Sequence, residues 1–315
     1  MNQSKQMTDG ALMTAIYMIL MLIATFVPVI AAVATFLLPV PFIVYASRHD
    51  WKLSIVMLLA AVGLSAIFTS IYSVPIPILM GLGGILTGSA IYRKYSAYET
   101  LASGTIGFVA GMVTLFLFSQ FVLQVNLINE MSQMVQESFS MSKNVMGEFG
   151  LAGQTEEQMQ LVMEQLDMLV ELIPVWIALA SLFLAFVSQW ISYKVIGRLE
   201  NRSLHFPPFR SFRLPVSLIW IYFFALIISF MDLSGLAAQA VQNVLMLTGI
   251  FMALQGLSFI FYYAYVKDIT KALPVMSVLL TIFLPFIFLY LVRLLGIIDI
   301  GFALRDRIAN GNGKT

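Results

Sequence analysis

The chain has 315 residues, of which 60% are hydrophobic and only 10% charged, and its mean hydropathy is +0.92; a soluble domain carries about 25% charged residues. Seventeen Lys and Arg stand against sixteen Asp and Glu, for a net charge of +1, which gives no electrostatic reason to expect nucleic acid as a partner. The absence of cysteine excludes disulfides, thiolate metal sites, iron–sulfur clusters and cysteine catalysis. Together these observations describe an integral membrane protein whose solvent is the lipid bilayer.

Charges fall in groups, and the gaps between groups match membrane thickness. A spanning helix needs about 20 apolar residues. Charge-free runs extend over Gly10–Ser47, Leu53–Tyr92, Thr100–Asn129, Leu172–Tyr193, Leu214–Met231, Leu233–Val266 and Ala272–Val292. The first two are long enough for two helices each, with turns marked by Pro28 and by Ser73-Val74-Pro75. This predicts an all-α, polytopic bundle of about nine helices, near 10–29, 31–46, 53–72, 75–92, 100–125, 172–196, 214–231, 236–266 and 273–292. The long first apolar run is expected to stay as an anchor rather than be cleaved.

The distribution of Lys and Arg predicts a multi-pass membrane protein with a cytoplasmic N-terminus. Inner loops then hold cations from Lys5 through Arg93, Arg198 and Arg213 to Lys271, and the outer loops before the last helix hold only Lys143. Nine crossings would leave Arg293, Arg305, Arg307 and Lys314 outside, against the same rule. Either the tail is an exception or Ala272–Ile300 re-enters near Pro285. Asp232, Arg293 and Asp299 sit at span edges and read as interfacial anchors. With no ionisable group in mid-span, a proton relay is not expected, and no catalytic constellation or complete phosphate-binding loop is present. The chain is therefore read as a non-enzyme without catalytic residues, metal or cofactor. The glycines of Gly81-Leu82-Gly83-Gly84, and Gly104, Gly107 and Gly111, read as helix-packing faces.

Two loops stand out. Residues 126–171 carry eight acids against Lys143, with apolar residues at helical spacing around Met134 and Val170 and a capping-box pattern at Thr155 and Gln158. An acidic, amphipathic, extracytoplasmic helical hairpin is expected, its methionines serving as adaptable apolar contacts rather than as a Cu(I) site. Between the sixth and seventh helices, Phe209-Arg210-Ser211-Phe212-Arg213 forms a basic aromatic loop that either docks a partner protein or rests on anionic lipid. The domain division is 1–200, the loop 201–213, and a three-helix extension 214–315.

Ala11 and Ala15 on the first helix form an AxxxA pair that lets another helix approach closely. A cytoplasmic start, an AxxxA first helix, six helices by about residue 196 and no internal ATPase resemble the substrate-binding S components of energy-coupling factor (ECF) transporters, with three additional C-terminal helices. Over nearly its whole length the chain resembles the YybS-like family of bacterial membrane proteins, through Gly10-Ala11-Leu12, Leu38-Pro39-Val40-Pro41-Phe42, Phe209 to Pro215, Gln255-Gly256-Leu257 and Gly296 to Phe302. The ECF resemblance implies that Ala11 and Ala15 contact a transmembrane coupling subunit, that partner ATPases supply energy, and that a small molecule binds from outside. Gln120, Gln124, Asn126 and Trp176, at the outer end, are the candidate pocket residues. The alternative reading is a non-transporting scaffold or regulator acting through Phe209, Arg210, Phe212 and Arg213.

Overall fold

A computed structural model of the chain describes residues 3–126, 129–130, 133–138, 140–141, 161, 164–165 and 168–311. All regular structure among the described residues is helical, and seven helical stretches are long and apolar enough to cross a membrane. The chain divides into two compact units, Met1–Phe206 and Pro207–Thr315, which part within the basic loop.

The first unit holds α1 (Gln3–Phe26), α2 (Pro28–Leu37), α3 (Pro39–Phe68), α4 (Pro75–Tyr92), α5 (Ala97–Phe121) and α6 (Ile173–Glu200). Proline opens α2, α3, α4 and, at its second residue, α6, where its missing N–H costs nothing and its fixed φ suits a first turn. These prolines move the predicted borders. The segment predicted as one helix at 31–46 is split at Leu38, whereas the break expected between 46 and 53 is present: α3 is two helical stretches that meet at a kink at Asp50 (φ 64°, ψ 175°). The charged residues just before the kink find partners far along the chain. Arg48 Nε donates to Glu200 Oε1 at 2.6 Å, and His49 Nε2 lies 3.1 Å from Asp9 Oδ2.

Residues Pro39 to Ser47 are buried on every face, as expected of a helix that is apolar all round. Around them pack Tyr17, Met21 and Phe108, with the Tyr17 and Phe42 rings edge to face at 5.0 Å. The glycine faces act as expected: Gly84 lies against Phe42 and Pro39, Gly107 against Leu82 and Gly83, and Gly111 against Leu79. Most of the acidic hairpin, including Thr155 and Gln158, lies outside the described residues.

The second unit holds α7 (Ser217–Ser229), α8 (Leu236–Val266), α9 (Ala272–Phe283), α10 (Pro285–Phe302) and α11 (Leu304–Gly311). The bounds of α8 are those predicted. The last predicted helix, 273–292, is two helices broken at Leu284–Pro285. The direction of α10 follows from its neighbours: Arg293 lies against Gly249, Gly296 against Gly256, and Arg305 against Ser258. Residue numbers rise together, so α10 runs parallel to α8. The 12 residues of α9 span about 18 Å, well short of the ~30 Å hydrocarbon core. They carry the chain back before Pro285 reverses it, and the hairpin tip exposes Phe283, Leu284, Phe286 and Ile287. The chain therefore turns back at Leu284–Pro285, the place where the sequence allowed for a reversal. Arg305 donates to Arg210 O and Arg213 pairs with Asp306, so the basic loop and the end of α10 meet at one end of this unit.

Candidate functional site: an open helix groove and a buried ion pair

On α1, Gly10, Ala11, Thr14 and Ala15 place small side chains on one strip, three or four residues apart. Opposite them, the second half of α3 contributes Val56, Met57 and Ala60, and between the two helices lies a groove of 610 Å³. Ala11 and Ala15 are exposed. Thr14 donates its hydroxyl to Gly10 O at 2.8 Å, and Tyr45 at the groove's end donates to Gln6 O at 3.1 Å. The strip is therefore apolar in effect, and no helix of the first unit fills it. Next to Tyr45, the His49 ring is 4.9 Å away, and its side chain is 1% exposed and paired with Asp9. The sequence signalled neither this pairing nor its burial, since the partners lie forty residues apart.

In the second unit, the polar residues meet at one point. Asp299 Oδ2 accepts from Arg305 Nε at 2.9 Å and from Gln255 Nε2 at 2.6 Å, and both charged side chains are at most 3% exposed. Ala303, in the left-handed conformation at φ 49°, makes the turn that brings Arg305 back over Asp299. The remaining guanidinium nitrogens donate to Arg210 O, Phe212 O and Ser258 Oγ at 2.9 to 3.1 Å. Gln255 Oε1 accepts from Leu214 N at 2.9 Å. Burial pushes the Arg305 guanidinium below its ordinary pKa, and the neighbouring Asp299 carboxylate opposes that shift; an arginine stays cationic throughout. Asp299 is thus not the interfacial anchor expected from its position. Arg293, also expected at an edge, packs its guanidinium against Gly249 and lies 5.4 Å over the Tyr290 ring, whereas Asp232 is exposed as an anchor would be.

The basic loop folds onto its own unit. Phe209 meets Phe261 edge to face at 5.4 Å and stacks on Phe212 at 6.1 Å, Arg210 lies 3.8 Å over Tyr265, and Arg213 pairs with Asp306 at 3.0 Å. Of the candidate pocket residues, Gln120, Gln124 and Trp176 are exposed, Gln124 with φ 56°, and Asn126 Oδ1 accepts from Asn129 N at 3.2 Å. The α1–α3 groove draws on none of them. Among the described residues, no three His, Asp or Glu gather in a way that could hold a metal.

The chain is 30% identical over 312 residues, 98% of its length and 100% of the relative's, to YybS of Bacillus subtilis (strain 168), which is described as an uncharacterized protein. No solved structure matches. A family model described as "Predicted membrane protein (DUF2232)" matches residues 15–300. The stretches Phe209–Pro215, Gln255–Leu257 and Gly296–Phe302, which carried the sequence resemblance, all contribute to or adjoin the Asp299–Arg305 cluster. The chain belongs to the DUF2232 family of membrane proteins, alongside YybS.

Proposed function

We propose that this protein works as an S-component-like subunit of the bacterial plasma membrane, its N-terminus cytoplasmic. It binds a small molecule and accepts a transmembrane helix of a coupling partner in the α1–α3 groove, while partner ATPases supply the energy. One observation carries the reading: Ala11 and Ala15 line an open 610 Å³ groove at the spacing membrane helices use for close approach. Such a face gains dispersion contacts when a helix seats on it, and within its own unit it has no such helix. The engagement of Phe209, Arg210 and Phe212 with their own unit weighs against the basic loop as the main docking surface.

The test is purification from native membranes in mild detergent, comparing the wild type with an A11L/A15L variant and identifying co-purifying chains by mass spectrometry. A polytopic membrane protein together with an ATPase, present with the wild type and depleted with the variant, is the expected result. Partners without an ATPase, lost in the same variant, would instead support the non-transporting scaffold. Partners unchanged by the variant would overturn the groove's role.

A further inference from the structure

A second concavity, 340 Å³, opens between α3, α4 and α5. Its floor runs along one face of α4 from Arg93 through Ser89 and Leu86 to Leu82, with Ile55 of α3 on the side. Eleven residues of helix rise about 16 Å, which is the depth of one leaflet of a ~30 Å hydrocarbon core. The trough is apolar along its length apart from Ser103, whose hydroxyl is spent on Leu86 O at 3.1 Å, and it is charged only at one end.

That end has the chemistry of a headgroup site. Arg93 is exposed at the mouth, and Trp51 and Tyr95 flank it, 38% and 47% exposed. Lys52 lies beside Trp51, its Nζ 5.9 Å from the ring, and Lys94 follows Arg93. None of these three cations is ion-paired among the described residues, whereas Arg48, Arg202, Arg213 and Arg305 all are. Of the acids nearest in sequence, Asp50 and Glu99, the latter accepts from Ser96 N in the cap of α5. One turn below Arg93, the Ser89 hydroxyl is buried and has no hydrogen-bond partner among the described residues. A donor at that depth lies where the glycerol ester oxygens of a phospholipid would be.

We propose that this trough binds an anionic phospholipid, with its phosphate at Arg93 and Lys52, its ester region at Ser89 and one acyl chain along Leu86 and Leu82. Basic pockets between membrane helices select anionic headgroups in this way, and the apolar depth commits the site to a lipid rather than to free phosphate. The site is separate from the α1–α3 groove and does not depend on the proposed function.

The experiment is native mass spectrometry of the purified full chain with phosphatidylglycerol, phosphatidylcholine or glycerol 3-phosphate. The wild type should retain phosphatidylglycerol over phosphatidylcholine and leave glycerol 3-phosphate unbound. Arg93→Gln and Lys52→Gln should each lower phosphatidylglycerol retention about fivefold, the worth of one cation near an anionic surface. Ile55→Trp fills the trough without touching a cation and should remove the adduct. Lys194, which lies 3.4 Å over Trp190 but outside the trough, serves as control, and Lys194→Gln should change nothing. Equal retention of the two lipids, an effect of Lys194→Gln matching that of Arg93→Gln, or an undiminished adduct in Ile55→Trp would overturn the assignment.

Discussion

Gly256 of α8 and Gly296 of α10 face each other where the two parallel helices cross, so closely that a Cβ on either would run into the carbonyl oxygen of Val292 or Met252. Backbone cannot give way as a flexible side chain can, so the helices must part to admit a methyl group. Gly256→Ala is expected to lower stability by about 1–3 kcal/mol, the range for overpacked cores. By contrast, Gly63 of α3 meets nothing within 4 Å, and Gly63→Ala should stabilise by up to about 1 kcal/mol through helix propensity alone. Thermal unfolding of the two variants in detergent should shift in opposite directions.

Removing one partner of a buried ion pair leaves the other charge stranded. Asp299→Asn should therefore cost about 3–5 kcal/mol, more than its hydrogen bonds to Arg305 and Gln255 would suggest. Asp299→Asn combined with Arg305→Gln should lose less than the sum of the single variants, because the stranded charge is gone. Additive losses in a double-mutant cycle would mean that the two side chains do not act as a pair.

The parallel course of α8 and α10 fixes where the tail emerges. The native chain has no cysteine, so single-cysteine labelling has no background. Ser211→Cys and Arg307→Cys should react from the same side of the membrane, and Ser234→Cys, at the other end of α8, from the opposite side. Labelling of positions 211 and 307 from opposite sides would contradict the parallel course of the two helices.

Filling the groove should leave the fold intact. Ala11 and Ala15 are exposed, and substitutions away from packed features usually change stability by less than about 0.5 kcal/mol. The A11L/A15L variant should melt with the wild type and differ only in what binds to it. A large loss of stability would instead mean that the strip is packed within the chain.

Much of the fold was legible because lipid imposes a length scale: the charge-free run Leu233–Val266 contains α8 with its bounds as read. What escaped were features set by contacts distant in sequence. The break near Asp50 was legible from the charges, but the partners of Arg48 and His49, Glu200 and Asp9, were not. Asp299 reads as an anchor until the left-handed turn at Ala303 delivers Arg305, six residues on. Proline at a first helical turn explains why Pro39 and Pro285 divide runs that hydropathy alone joins. The AxxxA strip was legible as a face for close approach, but only the packing of α1 on α3 reveals that it stays open.

The most direct measurement is crosslinking in native membranes from a single cysteine at position 15, with Ile106→Cys as control, since Ile106 is 65% exposed on α5, away from the groove. A helix seated in the groove predicts a discrete adduct between Ala15→Cys and another membrane polypeptide, and none from position 106. Identical patterns at the two positions, or no adduct at position 15, would contradict helix docking at the α1–α3 groove.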